Sequence, residues 1–336
     1  MLMPGEDIPS FPYSIGWFIT NVCNYKCRHC NMSSGERLHD ELTTKEALAL
    51  VAKLAKIRTH SIFFTGGEPF FRKDFVRVAD EALAHGIHVH VTTNGSCLSE
   101  EMIKRHVVKY SSVRVSLDSC HAEKHDQWRQ TNGAYKAALK IIRLLVEYRV
   151  EVSVSMCVAR WNVCELPEML SLLETMGVRQ LTLPLFSPDG RGRSMPDMAL
   201  SPFEVRTLLE SIRLLRKEHA SVSVRTDIPY SVLMPDPLVP PRNYPCPAAK
   251  TEMTIFANGD ISPCFALPVK CGNVRTSDIE NAWIANRVFS DFRDVSLVHG
   301  KCARCEYLSM CGGGCRAISF AKTGDYLAED SSCWKD

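Results

Sequence analysis

The stretch Cys23-Asn-Tyr-Lys-Cys27-Arg-His-Cys30 decides how the rest of the chain is interpreted, because it places three thiols in one short loop. A structural zinc site takes four protein ligands, and a cubane iron-sulfur cluster held entirely by protein thiolates also takes four. Three thiols at this spacing therefore predict an iron-sulfur cluster with one iron left open to a small molecule. A closed zinc site completed by a distant fourth ligand is the alternative.

The composition is that of an ordinary globular protein with many cysteines. The chain has 336 residues, 40 Lys and Arg against 38 Asp and Glu, and 15 cysteines. The near-neutral charge argues against binding to nucleic acid or to an anionic membrane. The N-terminal residues carry no secretory signal pattern, and no run of roughly 18 apolar residues occurs. We therefore expect a cytoplasmic protein whose cysteines bind metal rather than form disulfides.

Apolar runs alternate with longer amphipathic stretches over residues 14–219, which predicts an α/β fold with a parallel sheet. The predicted strands cover 14–20, 61–66, 88–95, 112–118, 151–158 and 180–186. The predicted helices cover 44–59, 74–85, 99–107, 133–148, 166–176 and 202–219. Six strand-helix units are too few for a closed eightfold barrel. We expect an open or partial barrel with its functional site at the carboxyl ends of the strands.

This patterning fades after the sixth predicted helix, and six prolines follow between residues 235 and 247. We therefore divide the chain into an N-terminal segment 1–13, a catalytic domain 14–219, a linker 220–245 and a cysteine-rich domain 246–336. We expect the last of these to fold around metal rather than around a large apolar core.

Further motifs stand at later strand ends. Thr65-Gly66-Gly67-Glu68-Pro69 follows the second strand, Thr92-Thr93-Asn94-Gly95 ends the third, and Ser116-Leu117-Asp118 ends the fourth, before His125-Asp126 and Arg129. Together with the cysteine loop, these motifs resemble the radical S-adenosylmethionine (SAM) superfamily over roughly residues 14–219. The resemblance implies a (β/α)6 partial barrel and a [4Fe-4S] cluster whose open iron binds SAM. It also implies reductive cleavage of SAM to a 5′-deoxyadenosyl radical that abstracts a substrate hydrogen.

The resemblance also assigns roles around the nucleotide. It implies that the GGEP backbone receives the SAM amino group, where glycine permits close approach, that Ser116 contacts the ribose or carboxylate, and that Arg129 pairs with the SAM carboxylate. His29 lies near the adenine or is a solvated loop residue, and Leu183 lines the adenine or belongs to the core. The full set of candidate SAM contacts is His29, Gly66, Gly67, Glu68, Pro69, Thr93, Asn94, Ser116, Asp118, Arg129 and Leu183.

A second group of cysteines occupies the C-terminal region, and its spacing closely resembles the SPASM extension of radical SAM enzymes. That resemblance implies two auxiliary iron-sulfur clusters, expected to be [4Fe-4S]. The implied ligands are Cys302, Cys305, Cys311 and Cys333 for one cluster and Cys246, Cys264 and Cys315 for the other. No cysteine lies just before Cys246 to complete the three-cysteine set. An open or non-cysteine position is favoured there over ligation by Cys271.

The other free cysteines are Cys97, Cys120, Cys157 and Cys164. Cys157 lies in the fifth predicted strand and is interpreted as a buried small hydrophobe. A functional alternative is that Cys120, Cys164 or Cys271 donates a hydrogen atom to a carbon radical, as in radical SAM epimerases. The loop 187–193 after the sixth strand is predicted to be solvated, with contact to an anionic substrate group as the alternative.

The resemblance implies a radical SAM oxidoreductase or maturase that receives its electron from a flavodoxin- or ferredoxin-type protein. The favoured substrate is a ribosomally made peptide or protein, which would be crosslinked, epimerised or oxidised. A small molecule such as a tetrapyrrole or sugar alcohol is the alternative, and a non-catalytic zinc or iron-sulfur module is a remote one. No obvious peptide-recognition domain precedes residue 14, so a leader peptide is expected to need a separate binding protein or the barrel rim.

Overall fold

The computed structural model describes residues 9–227, 229, 233–234 and 246–335. Ten strands form one sheet within these residues. They are β1 Ser14–Thr20, β2 Ser61–Gly66, β3 His88–Thr93, β4 Ser112–Ser116, β5 Val152–Ser155, β6 Gln180–Leu183, β7 Ser223–Thr226, β8 Glu252–Ile255, β9 Asp260–Ser262 and β10 Gly272–Asn273.

The sheet runs in the order β10-β9-β8-β1-β2-β3-β4-β5-β6-β7. Strands β1 to β7 pair in parallel with their sequence neighbours, and β8 pairs in parallel with the other side of β1. Strands β9 and β10 extend this side as an antiparallel ribbon. The predicted α/β fold with an open, parallel-stranded barrel is confirmed, and the carboxyl ends of the first six strands share one rim.

Helices follow most of the parallel strands. Those of the described residues are α1 Thr44–Lys56, α2 Phe75–Ala84, α3 Glu100–Arg105, α4 Ala122–Arg129, α5 Ala134–Glu147, α6 Leu166–Thr175, α7 Pro202–Glu218, α8 Ile279–Ala285, α9 Arg287–Arg293, α10 Leu308–Cys311 and α11 Arg316–Thr323. None of these helices combines the length and apolar character that crossing a bilayer requires. The sequence predicted α1 to α3 and α5 to α7 but missed α4, whose residues are mostly polar and carry little apolar periodicity.

Capping residues explain where two of these helices begin. Thr43 accepts a hydrogen bond from the Glu46 backbone N–H, and the Glu46 carboxylate accepts one from the Thr43 N–H. Ser201 and Glu204 make the same reciprocal pair at the start of α7. These capping boxes satisfy N–H groups that the first helical turn leaves unpaired, which fixes the strand-to-helix turns.

The core lies between the sheet and its helices. Alternate residues of β1 and β2, among them Trp17 and Phe64, are fully buried against the helical layer, with ring centroids 5.4 Å apart. The intervening residues, such as Gly16 and Phe63, face the inside of the barrel because strand side chains alternate, and Arg114 of β4 faces the same way.

Two expectations about the C-terminal half are wrong. Residues 223–226, inside the expected linker, form the seventh parallel strand, while 235–245 lie outside the described residues. The region after residue 246 also shares the main apolar core, to which it contributes Met253, Ile255 and Trp283. The physical reason is the pairing of β8 with β1, which makes these residues part of the same sheet.

Truncation of a buried side chain should destabilise the protein more than truncation of an exposed one. Ile62 is fully buried in the main core, so we expect Ile62→Ala to lose about 2–5 kcal/mol of unfolding free energy. Phe203 is 74% exposed, so Phe203→Ala should stay within about 0.5 kcal/mol of the parent. Anaerobic urea denaturation measures both, and equal losses in the two variants would show that the core is assigned incorrectly.

Candidate active site

The three thiols of the front loop converge at the carboxyl end of β1. Cys23, Cys27 and Cys30 pack into one small cluster with Tyr25 and Ala134. Burial, and then the nearby thiols, raise the pKa of Cys23 to about 12. Burial also raises the pKa of Cys27. Metal ligation requires thiolates, so a cluster that binds here must displace these protons.

Each sulfur also accepts a hydrogen bond from the chain. The donors are the Tyr25 N–H to Cys23 Sγ at 3.5 Å, the Ser34 N–H to Cys30 Sγ at 3.4 Å and Arg129 Nη1 to Cys27 Sγ at 3.8 Å. Donors directed at sulfur stabilise cluster thiolates and tune their potential. In the described residues no three His, Cys, Asp or Glu side chains are spaced to hold a single metal ion. The loop therefore presents three converging thiols with matched donors, a set that fits a cluster with one open iron.

The loop after β6 clamps the cysteine loop. Arg191 Nε donates to the Cys27 carbonyl at 2.8 Å, and its Nη1 donates to the Ser34 carbonyl at 2.7 Å. The Arg191 N–H also donates to the Cys30 carbonyl at 3.0 Å. At Gly190, a methyl group would lie 2.5 Å from that same carbonyl oxygen. The expectation of a solvated segment is therefore wrong for Arg191, while contact with an anionic substrate group stays a prediction. Sequence reasoning missed its role because partners 157 and 164 residues away leave no local pattern.

The glycines of the GGEP motif bring β2 against the cysteine loop. The Gly67 N–H donates to the Thr20 carbonyl at 2.8 Å, and the Glu68 N–H donates to the Val22 carbonyl at 2.8 Å. A methyl group on Gly67 would lie 2.0 Å from the Val22 oxygen. Gly66 has φ of 134°, a conformation that glycine adopts without strain. Glycine is therefore required here because two segments of the backbone approach each other closely.

Glu68 links the ends of β2 and β3. Its carboxylate accepts hydrogen bonds from Thr93 Oγ1 and from the Asn94 N–H, both at 2.7 Å. The same carboxylate also accepts a hydrogen bond from the backbone N–H of Phe70, the residue after the buried Pro69. Burial outweighs these donors and raises the pKa of Glu68 to about 7. The Glu68 carboxylate thus positions the rim, and the Asn94 amide reaches to 3.9 Å from a thiol of the cysteine loop.

A buried ion pair lies next to the thiols. Arg129 Nε donates to Asp118 Oδ2 at 2.7 Å, and both side chains are nearly inaccessible to solvent. Burial opposes the charge of Asp118, but Arg129, His29, His125 and the Cys157 N–H together outweigh it, and the pKa of that carboxyl falls to about 2. The other Asp118 oxygen accepts the Cys157 N–H at 2.9 Å. This pairing orients Arg129 between the carboxylate and the cluster loop.

His29 stacks on Trp128, with ring centroids 5.2 Å apart and planes within 10°. The His29 side chain is 12% exposed, so the solvated-loop alternative is wrong. Burial lowers the pKa of His29 to about 3, which leaves its ring neutral. Its Nδ1 has no hydrogen-bond partner within the described chain. A neutral ring with one face covered and a nitrogen unsatisfied fits a site for a planar polar ligand such as a nucleobase.

Two other candidate SAM contacts are separated from this group. Ser116 ends β4 and pairs with Ser155, with its side chain on the inner face of the barrel. Leu183 is fully buried in the main core, which matches the core alternative rather than an open adenine site.

The C-terminal thiols form two groups. Burial raises the pKa of Cys246, and that of Cys264 lies well above its usual range because of burial and then the thiols of Cys246 and Cys315. The second group lines one small cavity with Gly313, Gly314 and Asp330, and its thiols are Cys302, Cys305, Cys311 and Cys333. A methyl group on Gly314 would come within 2.4 Å of Asp330 Oδ2, so the cavity wall requires glycine.

The remaining cysteines differ in their surroundings. Burial raises the pKa of Cys271 to about 11, and its thiol faces the Val269 carbonyl at 3.7 Å. Cys164 is exposed, and Cys120 lies beside Glu165. By contrast, the thiol of Cys157 lies among Asp118, Arg129 and Cys27, in the loop after β5 rather than inside a strand. The interpretation of Cys157 as a strand residue is therefore wrong, because β5 ends at Ser155.

Loss of the Arg191 clamp should weaken retention of the cluster. In Arg191→Ala the loop loses its bonds to two carbonyls of the cysteine loop, so we expect iron to be extracted by a chelator several times faster than from the parent. Arg193 lies two residues away and is exposed, so Arg193→Ala should behave like the parent. Iron release after anaerobic reconstitution measures this, and equal rates for Arg191→Ala and the parent would exclude the clamp.

Comparison with known proteins agrees with this geometry. Residues 17–173 match the Radical SAM superfamily, and residues 246–306 match SPASM, an iron-sulfur cluster-binding domain. The AdoMet-dependent heme synthase of Methanosarcina barkeri is 29% identical over 96% of this chain and 96% of its own length. The mycofactocin maturase MftC of Mycolicibacterium smegmatis is 29% identical over 92% of this chain and 79% of its own length.

Solved structures share the fold. Streptococcus suis SuiB bound to S-adenosylmethionine, and SuiB bound to the precursor peptide SuiA, each superpose with a TM-score of 0.81 at 18% identity. They cover 97% and 98% of this chain, and 78% and 77% of their own chains. The converging thiols, the rim motifs and both domain matches agree, and the chain is a radical SAM enzyme with a C-terminal SPASM domain.

Proposed function

We propose that Cys23, Cys27 and Cys30 hold a [4Fe-4S] cluster whose open iron binds SAM. When both are bound, the cluster and SAM together would supply the 5′-deoxyadenosyl radical that removes a hydrogen atom from a substrate inside the barrel. The observation that carries the proposal is the convergence of these three thiols with the Asp118–Arg129 ion pair at one rim.

The surrounding residues position the nucleotide and keep water out. Asp118 holds Arg129 in place, so its guanidinium is pre-organised to pair with the carboxylate of SAM. The neutral ring of His29, backed by Trp128, provides a flat surface for the adenine. Gly66 and Gly67 hold the rim backbone close to the cluster loop, where the SAM amino group would be received. Ser116 faces the inside of the barrel and would reach the ribose.

We also propose two auxiliary clusters in the SPASM domain. Cys302, Cys305, Cys311 and Cys333 would ligate all four irons of one [4Fe-4S] cluster, since all four line one cavity. The other would be held by Cys246, Cys264 and Cys315, with an open or non-cysteine position. The thiol of Cys271 donates instead to the Val269 carbonyl at 3.7 Å, which supports this choice over Cys271 ligation.

For the substrate, a tetrapyrrole that carries propionate side chains is favoured. The similarity to the heme synthase extends over 96% of both chains, whereas the similarity to the maturase covers 79% of the maturase. Abstraction of a hydrogen atom from a propionate, followed by cleavage of the bond to the carboxyl carbon, releases carbon dioxide and leaves a vinyl group and one electron. An auxiliary cluster would accept that electron. This order reverses the sequence-based preference for a peptide.

A ribosomally made peptide is the second candidate. The name of the mycofactocin maturase and the SuiB structure with its precursor peptide support it. In that case a separate leader-binding protein would present the peptide. For either substrate we propose a flavodoxin- or ferredoxin-type electron donor and a reducing, cytoplasmic location.

The front cluster should be essential for initiation. In Cys27→Ala the loop retains two thiols, so 5′-deoxyadenosine formation with SAM and dithionite should fall to background. Cys164 is exposed, so Cys164→Ala should form 5′-deoxyadenosine like the parent.

The proposed substrate has its own test. Given iron-coproporphyrin III, the parent should yield a product lacking carbon dioxide and two hydrogen atoms per reacted propionate, as seen by mass spectrometry. Persistent 5′-deoxyadenosine formation in Cys27→Ala would defeat the site assignment, and an unchanged porphyrin would defeat the substrate.

Iron content should distinguish the cysteines that ligate an auxiliary cluster from those that do not. Three cubanes require about twelve irons per chain, and Cys264→Ala should lose about four of them because its cluster keeps only two thiolates. Cys271→Ala should retain the full content. Iron analysis with electron paramagnetic resonance of the reduced protein measures both variants. Loss of one cluster signal in Cys271→Ala would instead identify Cys271 as a ligand.

A further inference from the structure

Four charged side chains gather on the inner face of the barrel, below the rim that carries the thiols. Arg114 lies on β4, Arg225 on β7, Asp227 just after β7 and Glu252 on β8. Glu252 Oε1 lies 3.5 Å from the position that a methyl group on Gly16 would take. Its carboxyl therefore lies beside Gly16 on the inner face of the sheet.

These groups interact through space. Burial lowers the pKa of Arg114, and the neighbouring Asp227 and Glu252 oppose that change while Arg225 adds to it. Burial and then Asp227 raise the pKa of Glu252 to about 7. Glu252 also acts on the thiols of Cys246 and Cys264, so the charged group adjoins the first auxiliary site.

Within the part of the chain that the structure describes, Arg114, Arg225, Asp227 and Glu252 form no close ion pairs. Two other arginines, both with side chains under 10% exposed, make close pairs: Arg129 with Asp118 at 2.7 Å and Arg72 with Asp74 at 2.8 Å. Within the described residues, the Arg114 side chain makes no hydrogen bond or ion pair with a carboxylate. A half-buried guanidinium without a close partner carries a desolvation cost. Such a cost is expected where a ligand completes the pair.

The wall beside Arg114 is aromatic and uncharged. Phe63 stacks on His90, with ring centroids 4.4 Å apart and planes within 10°, and Phe63 is 39% exposed although it lies on the inner face. His90 Nδ1 is 2.7 Å from Ser112 Oγ, which fixes the ring. Burial lowers the pKa of His90 to about 4, so the ring is neutral. This surface suits a flat, apolar ligand body.

We propose that Arg114 and Arg225 bind a carboxylate of the substrate inside the barrel, with Phe63 and His90 packed against its apolar body. The inference rests on the proposed function and names the part of the chain that selects the substrate. The guanidinium fork matches a carboxylate in two-point contact. Asp227 and Glu252 offset part of the positive potential, which favours a singly charged carboxylate over a phosphate dianion.

The test uses anaerobically reconstituted holoenzyme and iron(III) coproporphyrin III, with binding followed by absorbance. We expect Arg114→Gln to weaken binding about tenfold or more, as for loss of a charge-assisted hydrogen bond, and Arg114→Lys to recover part of it. The tetramethyl ester of the same porphyrin should bind the parent and Arg114→Gln equally. Arg105 is an exposed residue of α3, so Arg105→Gln should bind like the parent.

The outcomes separate the two proposals. Binding that is equal in the parent and in Arg114→Gln overturns the carboxylate site and leaves the proposed function intact. A parent that does not bind the porphyrin overturns the proposed substrate, and this inference with it. Iron content and circular dichroism report whether Arg114→Gln folds. If it does not, Arg225→Gln, whose parent side chain is exposed, takes its place, and unchanged binding there overturns the proposal.

Discussion

The parallel pairing of β1 with β2 on one side and β8 on the other is the constraint on which the rest depends. It places the cysteine loop at the end of β1, against the glycines that end β2. On the other side it makes the SPASM region a continuation of the catalytic sheet. The front thiols and the first auxiliary thiols therefore belong to one continuous sheet.

The site is built from groups whose charge is costly to bury. The Asp118–Arg129 pair is satisfied within the chain, and so is the Glu68 carboxylate, although burial still raises its pKa. The cluster thiols and the Arg114 guanidinium are different, because the described chain supplies them with no full set of partners. Metal and substrate would complete these sets, so assembly of the holoenzyme and binding of substrate relieve desolvation that folding alone leaves in place.

Local patterns predicted the parallel strands and six of the helices well. The errors lie where local signals are weak. Helix α4 is mostly polar, and β7 lies in a stretch that was expected to be a linker. The predicted third to sixth strands also ran past their ends, because residues such as Asn94 leave the ladder to bond across the rim. At the site, the clamp by Arg191 and the stacking of Trp128 on His29 were not predicted, because the partners of Arg191 and Trp128 lie far away in sequence.

By itself, the sequence determined the chemistry that the chain presents: three thiols in one loop, a motif at the end of each of the next three strands, and seven spaced cysteines near the end. Short-range spacing carries that information, because ligands on one loop share a face whatever surrounds them. Only the tertiary structure decided which charges meet. The clamp by Arg191, the orientation of Arg129 and the group of charges around Arg114 arise from segments far apart in sequence, and burial sets their energies only after the barrel forms.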